Sequence, residues 1–109
     1  MDELTSRIFQ LITNSGDARS TVFEALAAAQ NGNMDKANSF VCMAKEGLLE
    51  AHKIQTELIQ KESSGDKTEL SLLMIHAQDH LMTSILAKDI IEKMICMQNE
   101  INELKKSKS

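Results

Sequence analysis

The sequence predicts an all-α fold, an antiparallel up-down-up bundle of three long helices. Its 109 residues include no Pro, four Gly, no Trp and no Tyr, a composition that favours helix over sheet. Only two clusters carry clear turn chemistry, Asn31-Gly32-Asn33 and Ser63-Ser64-Gly65-Asp66, where Gly suits the position after a helix and Asn, Ser or Asp the cap before the next. Between them, apolar residues recur at helical period. The length and the 42% hydrophobic content suit a single domain. That domain is expected over residues 1–104, with 105–109 a basic, disordered tail that has nothing apolar to bury.

The first helix carries its stripe through Leu4, Ile8, Leu11, Ala18 and Val22. The stripe crosses Thr13-Asn14-Ser15-Gly16-Asp17, so one continuous helix is expected, with Gly16 letting another backbone approach closely; a short loop between two helices is the alternative. The second helix reads Ala37, Phe40, Val41, Ala44, Leu48, Ala51 and Leu58, one apolar stripe with charge elsewhere. Asp66 and Glu69 have capping-box spacing ahead of Leu70-Leu72-Leu73, which places the start of the third helix at Asp66. Helices of roughly 28 to 38 residues, about 45 to 55 Å, make a slender bundle of a kind that often associates.

The third helix has two apolar faces. Leu72, Ile75, Met82, Leu86 and Ile90 fall within about 40° of one line, and Leu73, Ala77, Leu81, Ile91 and Ile95 lie about 180° away. Packing on two neighbouring helices does not satisfy both, and oligomerisation is the economical explanation. Asp79 interrupts the first face at the position Leu72 and Leu86 hold one heptad away. A lone ionised carboxylate there is costly to bury. Copies meeting around a symmetry axis would share protons or bind a cation such as Mg²⁺; a seam open to water at that point is the simpler alternative.

Sixteen acidic against twelve basic residues give a net charge of -4, with no basic stripe for nucleic acid. No apolar run approaches the roughly 20 residues of a membrane span, and Met1-Asp2-Glu3-Leu4 is acidic where a signal peptide is basic. No membrane insertion and a cytoplasmic location are expected. Cys42 and Cys96 stand far apart without a CxxC and read as buried thiols in a reducing compartment.

His76 and His80 lie one turn apart on the border between the two faces, and Thr83 and Ala87 continue their strip with small side chains. Three chemistries suit such a pair: a metal site, packed core histidines, or a phosphoryl carrier with a helper. Zinc catalysis is poorly supported, since the glutamate that metalloproteases place after the first histidine is absent and only Asp79 offers a further ligand. His52 stands alone and reads as packed or solvated. In a carrier, the neutral imidazole of His76 is a nucleophile near pH 7. A protonated His80 would place positive charge beside the phosphoryl group, and Gln78 would orient it through its amide.

The stretch Ile75-His76-Ala77-Gln78-Asp79-His80-Leu81-Met82-Thr83 resembles the active-site segment of the lactose/cellobiose (N,N'-diacetylchitobiose) family of IIA proteins in the bacterial phosphotransferase system. Ser15-Gly16-Asp17-Ala18-Arg19-Ser20 and the Ala-rich run ending at Gly32 are similar to that family too. The resemblance implies a homotrimer of nine helices that takes a phosphoryl group from HPr on His76 and passes it to a cysteine of a IIB component. It implies that Asp79 meets its symmetry mates around a metal ion, and it matches His80 and Gln78 to the remaining polar positions of the motif. It does not identify the disaccharide, which a membrane component binds. A structural coiled-coil-like adaptor, in which the histidines only pack and Asp79 sets register, is the competing reading; it requires a packed His76, whereas a carrier requires an exposed one.

Overall fold

A computed structural model describes residues 2–67 and 69–108. Three helices follow one another: α1 (Glu3–Gln30), α2 (Met34–Ser63) and α3 (Leu72–Ser107). No strand occurs among the described residues. Each helix starts on a side chain that accepts an otherwise unpaired backbone N–H: Asp2 from Thr5, Asn33 from Lys36 and Ser71 from Met74. Both turns close in the same way. Gly32 (φ 82°) lets the N–H of Asn33 donate to Ala28 O and its own N–H to Ala29 O. Gly65 (φ 104°) does likewise, with Asp66 donating to Lys61 O and Gly65 to Glu62 O. These are Schellman caps, and their positive φ is what Gly supplies.

The second cap corrects the expected start of α3. The backbone of Asp66 closes α2, so no capping box forms with Glu69, and Ser71 caps a helix that begins at Leu72. At the other end α3 runs past the expected boundary at 104, through Lys105 and Lys106 to Ser107. Two cations in the last turn complement the helix dipole, which favours continuation over fraying.

The core is built from one stripe of each helix: Ile8, Leu11, Ala18, Val22 and Ala25 of α1, Ala44, Leu48, Ala51, Ile54 and Leu58 of α2, and Met74, Ala77, Leu81, Ile91 and Ile95 of α3. α1 is continuous through residues 13–17. The glycine at a close approach is Gly47 rather than Gly16. A Cβ on Gly47 would meet Ala18 Cβ at 3.4 Å and Asn14 O at 3.6 Å, whereas one on Gly16 would meet nothing within 4 Å. Both cysteines are exposed and free, contrary to the expectation of buried thiols. Each follows a residue that faces inward, Val41 or Ile95, and one step along a helix turns it by about 100° away from the core.

Contacts between helices fix their directions. Arg7 pairs with Glu57 and Lys45 with Glu92, so α2 runs against both neighbours. Arg19 reaches Thr83 and Asn102 reaches Ala29, so α1 and α3 are parallel. The bundle measures 63 × 23 × 19 Å. The two faces of α3 separate as their pattern requires: Ala77, Leu81, Ile91 and Ile95 are buried within the chain, while Leu72, Ile75, Met82, Leu86 and Ile90 are more than half exposed. Asp79 sits in this uncovered row and is exposed with it.

Candidate functional site

The site grows from the first turns of α3. The Ser71 cap sets the phase of the helix, and burial of Met74, Ala77 and Leu81 turns His76 outward. His76 is exposed, His52 on α2 is exposed as well, and His80 is half-buried. The His76 and His80 rings meet edge to face, with centroids 4.5 Å apart and planes at 75°. The contact is the i, i+4 neighbourhood that their spacing requires.

His80 is the more enclosed ring. Its Nδ1 is buried with no hydrogen-bond partner. Burial foremost, then the His76 ring and the Arg19 guanidinium, hold its pKa below the ordinary 6.5 against the opposing pull of Asp79. The same surroundings disfavour the protonated form that a charged helper would need. The cation brought to this strip is Arg19, half-buried on α1. Its Nη1 donates to Thr83 Oγ1 at 3.3 Å, and the Thr83 hydroxyl donates to Asp79 O at 2.8 Å.

Gln78 faces elsewhere. Residues two apart on a helix do not share a face, and its amide is engaged by α2: Gln55 Nε2 donates to Gln78 Oε1 at 2.5 Å, while Gln78 Nε2 lies 3.9 Å from the Met74 sulfur. Within one chain the structure thus joins His76 with His80 and leaves Gln78 on the opposite flank. Asp79 is left as a single carboxylate, and among the described residues no three side chains of one chain form a metal-binding group.

Sequence reasoning missed Arg19 and Gln55 as members of the site. For Arg19 a signal existed: no acidic residue stands three or four positions from it on its own helix, so it is a cation without an intrahelical partner. For Gln55 there was none, because its role depends on the register between α2 and α3.

A three-helix bundle presenting an exposed, paired histidine defines the class: a helical protein with a surface imidazole available as a nucleophile. Comparison with known proteins makes this specific. Residues 6–99 match the family model described as the lactose/cellobiose-specific IIA subunit of the phosphotransferase system. The chain is 45% identical over 102 residues to the lichenan-specific phosphotransferase enzyme IIA component of Bacillus subtilis, covering 94% of this chain and 93% of that one. It superposes on the cellobiose-specific enzyme IIA from Bacillus anthracis with a TM-score of 0.91 at 47% identity, covering 94% of each chain. It also matches the IIA(Chitobiose) chain in its complex with HPr, from the N,N'-diacetylchitobiose branch of the Escherichia coli phosphotransferase system. That TM-score is 0.82 at 37% identity, over 94% of this chain and 99% of the other. The chain belongs to the lactose/cellobiose-specific IIA family, and it is a phosphotransferase component. No helix among the described residues is long and apolar enough to cross a membrane.

Proposed function

We propose that this chain carries a phosphoryl group on His76, taking it from phospho-HPr and passing it to a cysteine of a IIB component. The transported sugar is a disaccharide of the lactose, cellobiose or chitobiose class, and the carrier acts in the cytoplasm. The observation that carries this reading is the exposure of His76 beside a second, more enclosed imidazole. An exposed histidine suits transient docking of two successive partners, and a packed one, as the adaptor reading requires, does not.

The chemistry balances without a further reactant. A neutral ring nitrogen of His76 attacks phosphorus, the P–N bond to the donor imidazole breaks, and the donor ring leaves with the electron pair. In the second transfer a thiolate attacks, a P–S bond forms, and His76 recovers its lone pair. His80 packs against the His76 ring and limits its rotation, which keeps the nucleophile oriented outward.

The same reading supplies an assembly. The uncovered row from Leu72 to Ile90 suits packing of three α3 helices around an axis, a homotrimer of nine helices. Three Asp79 carboxylates would then converge. Carboxylate oxygens are donors for a hard cation such as Mg²⁺, and one per chain is too few to hold it, so the ion would belong to the subunit interface. When bound, it would neutralise the like charges. On the helical wheel His76 lies about 80° to one side of the row's centre and Gln78 about 80° to the other. In a cyclic trimer these flanks meet between neighbours, so Gln78 would support the His76 of the adjacent subunit.

Label chase tests the carrier reading. Phosphorylated protein, freed from HPr and mixed with IIB, should lose its label to the IIB cysteine. Label retained until it hydrolyses would contradict the role. Trimers mixed from His76→Ala and Gln78→Ala chains would contain intact composite sites, and labelling no faster than in the Gln78→Ala trimer would exclude the shared site.

A further inference from the structure

We propose that Arg19 is the phosphoryl-binding residue of this site: its guanidinium, anchored on Thr83, contacts the oxygens of the phosphoryl group on His76. The inference rests on the reading of His76 as the carrier and adds a cation from a different helix.

Three observations carry it. The first is direction. Helical side chains lean toward the N-terminus of their own helix, and α1 and α3 are parallel, so Arg19 leans toward the end of α3 that bears His80 and His76. The second is position. Thr83, which holds Arg19 Nη1 at 3.3 Å, lies one turn beyond His80, and the His80 ring touches that of His76 at 4.5 Å between centroids. Thr83, His80 and His76 form one strip spanning about 10 Å of helix, within which an arginine fork held at one end addresses what is bound at the other.

The third is the absence of a competing anion. Arg7, Lys45, Lys53 and Lys88 each sit on a carboxylate. Arg19 is half-buried, and among the described residues it pairs with no carboxylate and holds only a neutral hydroxyl. A guanidinium has five N–H donors in a planar fork that matches phosphate oxygens. With one donor on Thr83, the others remain for the group that arrives on His76. Phosphoryl transfer requires charge stabilisation on the three oxygens that neither attack nor leave, and Arg19 supplies it while His76 makes and breaks the bond.

The test compares wild type with Arg19→Gln and Arg19→Lys. Transfer from phospho-HPr is followed at rising donor concentration, and labelling by phosphoramidate, a small donor that needs no docking, is followed in parallel. Arg19→Gln should lower the maximal rate with either donor by about tenfold to a hundredfold while leaving KM for phospho-HPr within about twofold. Arg19→Lys should recover part of the loss, and the ³¹P resonance of the phosphohistidine should move in Arg19→Gln. If Arg19→Gln does not fold, Thr83→Val releases the anchor with little change of shape and should slow both donors severalfold. Wild-type rates and an unchanged ³¹P resonance in a folded Arg19→Gln or Thr83→Val protein would overturn the assignment. Wild-type protein that takes no label on His76 would overturn the carrier reading instead, which keeps the two failures distinct.

Discussion

Replacing Asp79 by Leu should tighten the assembly. The row on α3 that includes Asp79 is apolar on both sides, with Leu72 82% and Leu86 58% exposed in the single chain. In the proposed trimer three Asp79 carboxylates would meet on the axis, repel and require neutralisation, whereas three leucines would continue the row. Full burial of a leucine side chain contributes about 1.5 to 3 kcal/mol, so three contribute about 5 to 9 kcal/mol per trimer. The midpoint concentration of a monomer–trimer equilibrium varies as the square root of its dissociation constant. At about 1.4 kcal/mol per power of ten, Asp79→Leu should lower that midpoint by about two to three powers of ten. Sedimentation equilibrium over a dilution series measures it. The same series with a chelator separates the two proteins, because metal removal should weaken the wild-type assembly and leave Asp79→Leu unchanged. Dissociation of Asp79→Leu at concentrations where wild type is associated would instead make the carboxylates a net source of stability.

Other consequences are local. His80 should titrate below 6.5 when its ring carbons are followed by NMR. Because the folded state disfavours its protonation, this contribution to stability is fully present above the unfolded pKa near 6.5 and is lost as pH falls through the lower folded value. His80→Asn should flatten that decline, and a His80 titrating at or above 6.5 would contradict its enclosure. Gly16→Ala should raise stability by about 0.8 to 1 kcal/mol, because α1 is continuous there and the new methyl meets nothing. Gly47→Leu should lower stability by about 1 to 3 kcal/mol, because its side chain would drive into Ala18 and the Asn14 carbonyl. Urea unfolding of the pair decides both, and the opposite order would place the close approach of α1 and α2 at Gly16.

The fold was legible because its determinants are local. Apolar period, two glycines at positive φ and an almost unbroken run of helix formers specify three helices and two turns. The start of α3 was misplaced because Asp66 has two possible uses, and the cap of the preceding helix claims its backbone N–H before a capping box can form. The close approach was expected at Gly16 and lies at Gly47 for a related reason: which helical glycine faces a neighbour depends on the register between α1 and α2, and no pattern within one helix reports it. The two faces of α3 were legible from the helical wheel, and burial within the chain divides them as expected. The site was legible as a motif and only partly as an arrangement. The i, i+4 contact of His76 with His80 follows from sequence. The burial that lowers the His80 pKa, the turn of Gln78 toward Gln55 and the approach of Arg19 depend on how the helices pack against one another.

The carrier role of His76 is tested most directly by intact mass after incubation with phosphoenolpyruvate, Enzyme I and HPr, for wild type and for His76→Ala. A carrier takes one acid-labile phosphoryl group per wild-type chain and none on a folded His76→Ala protein. Full labelling of His76→Ala, or no labelling of wild type by active upstream proteins, would contradict it.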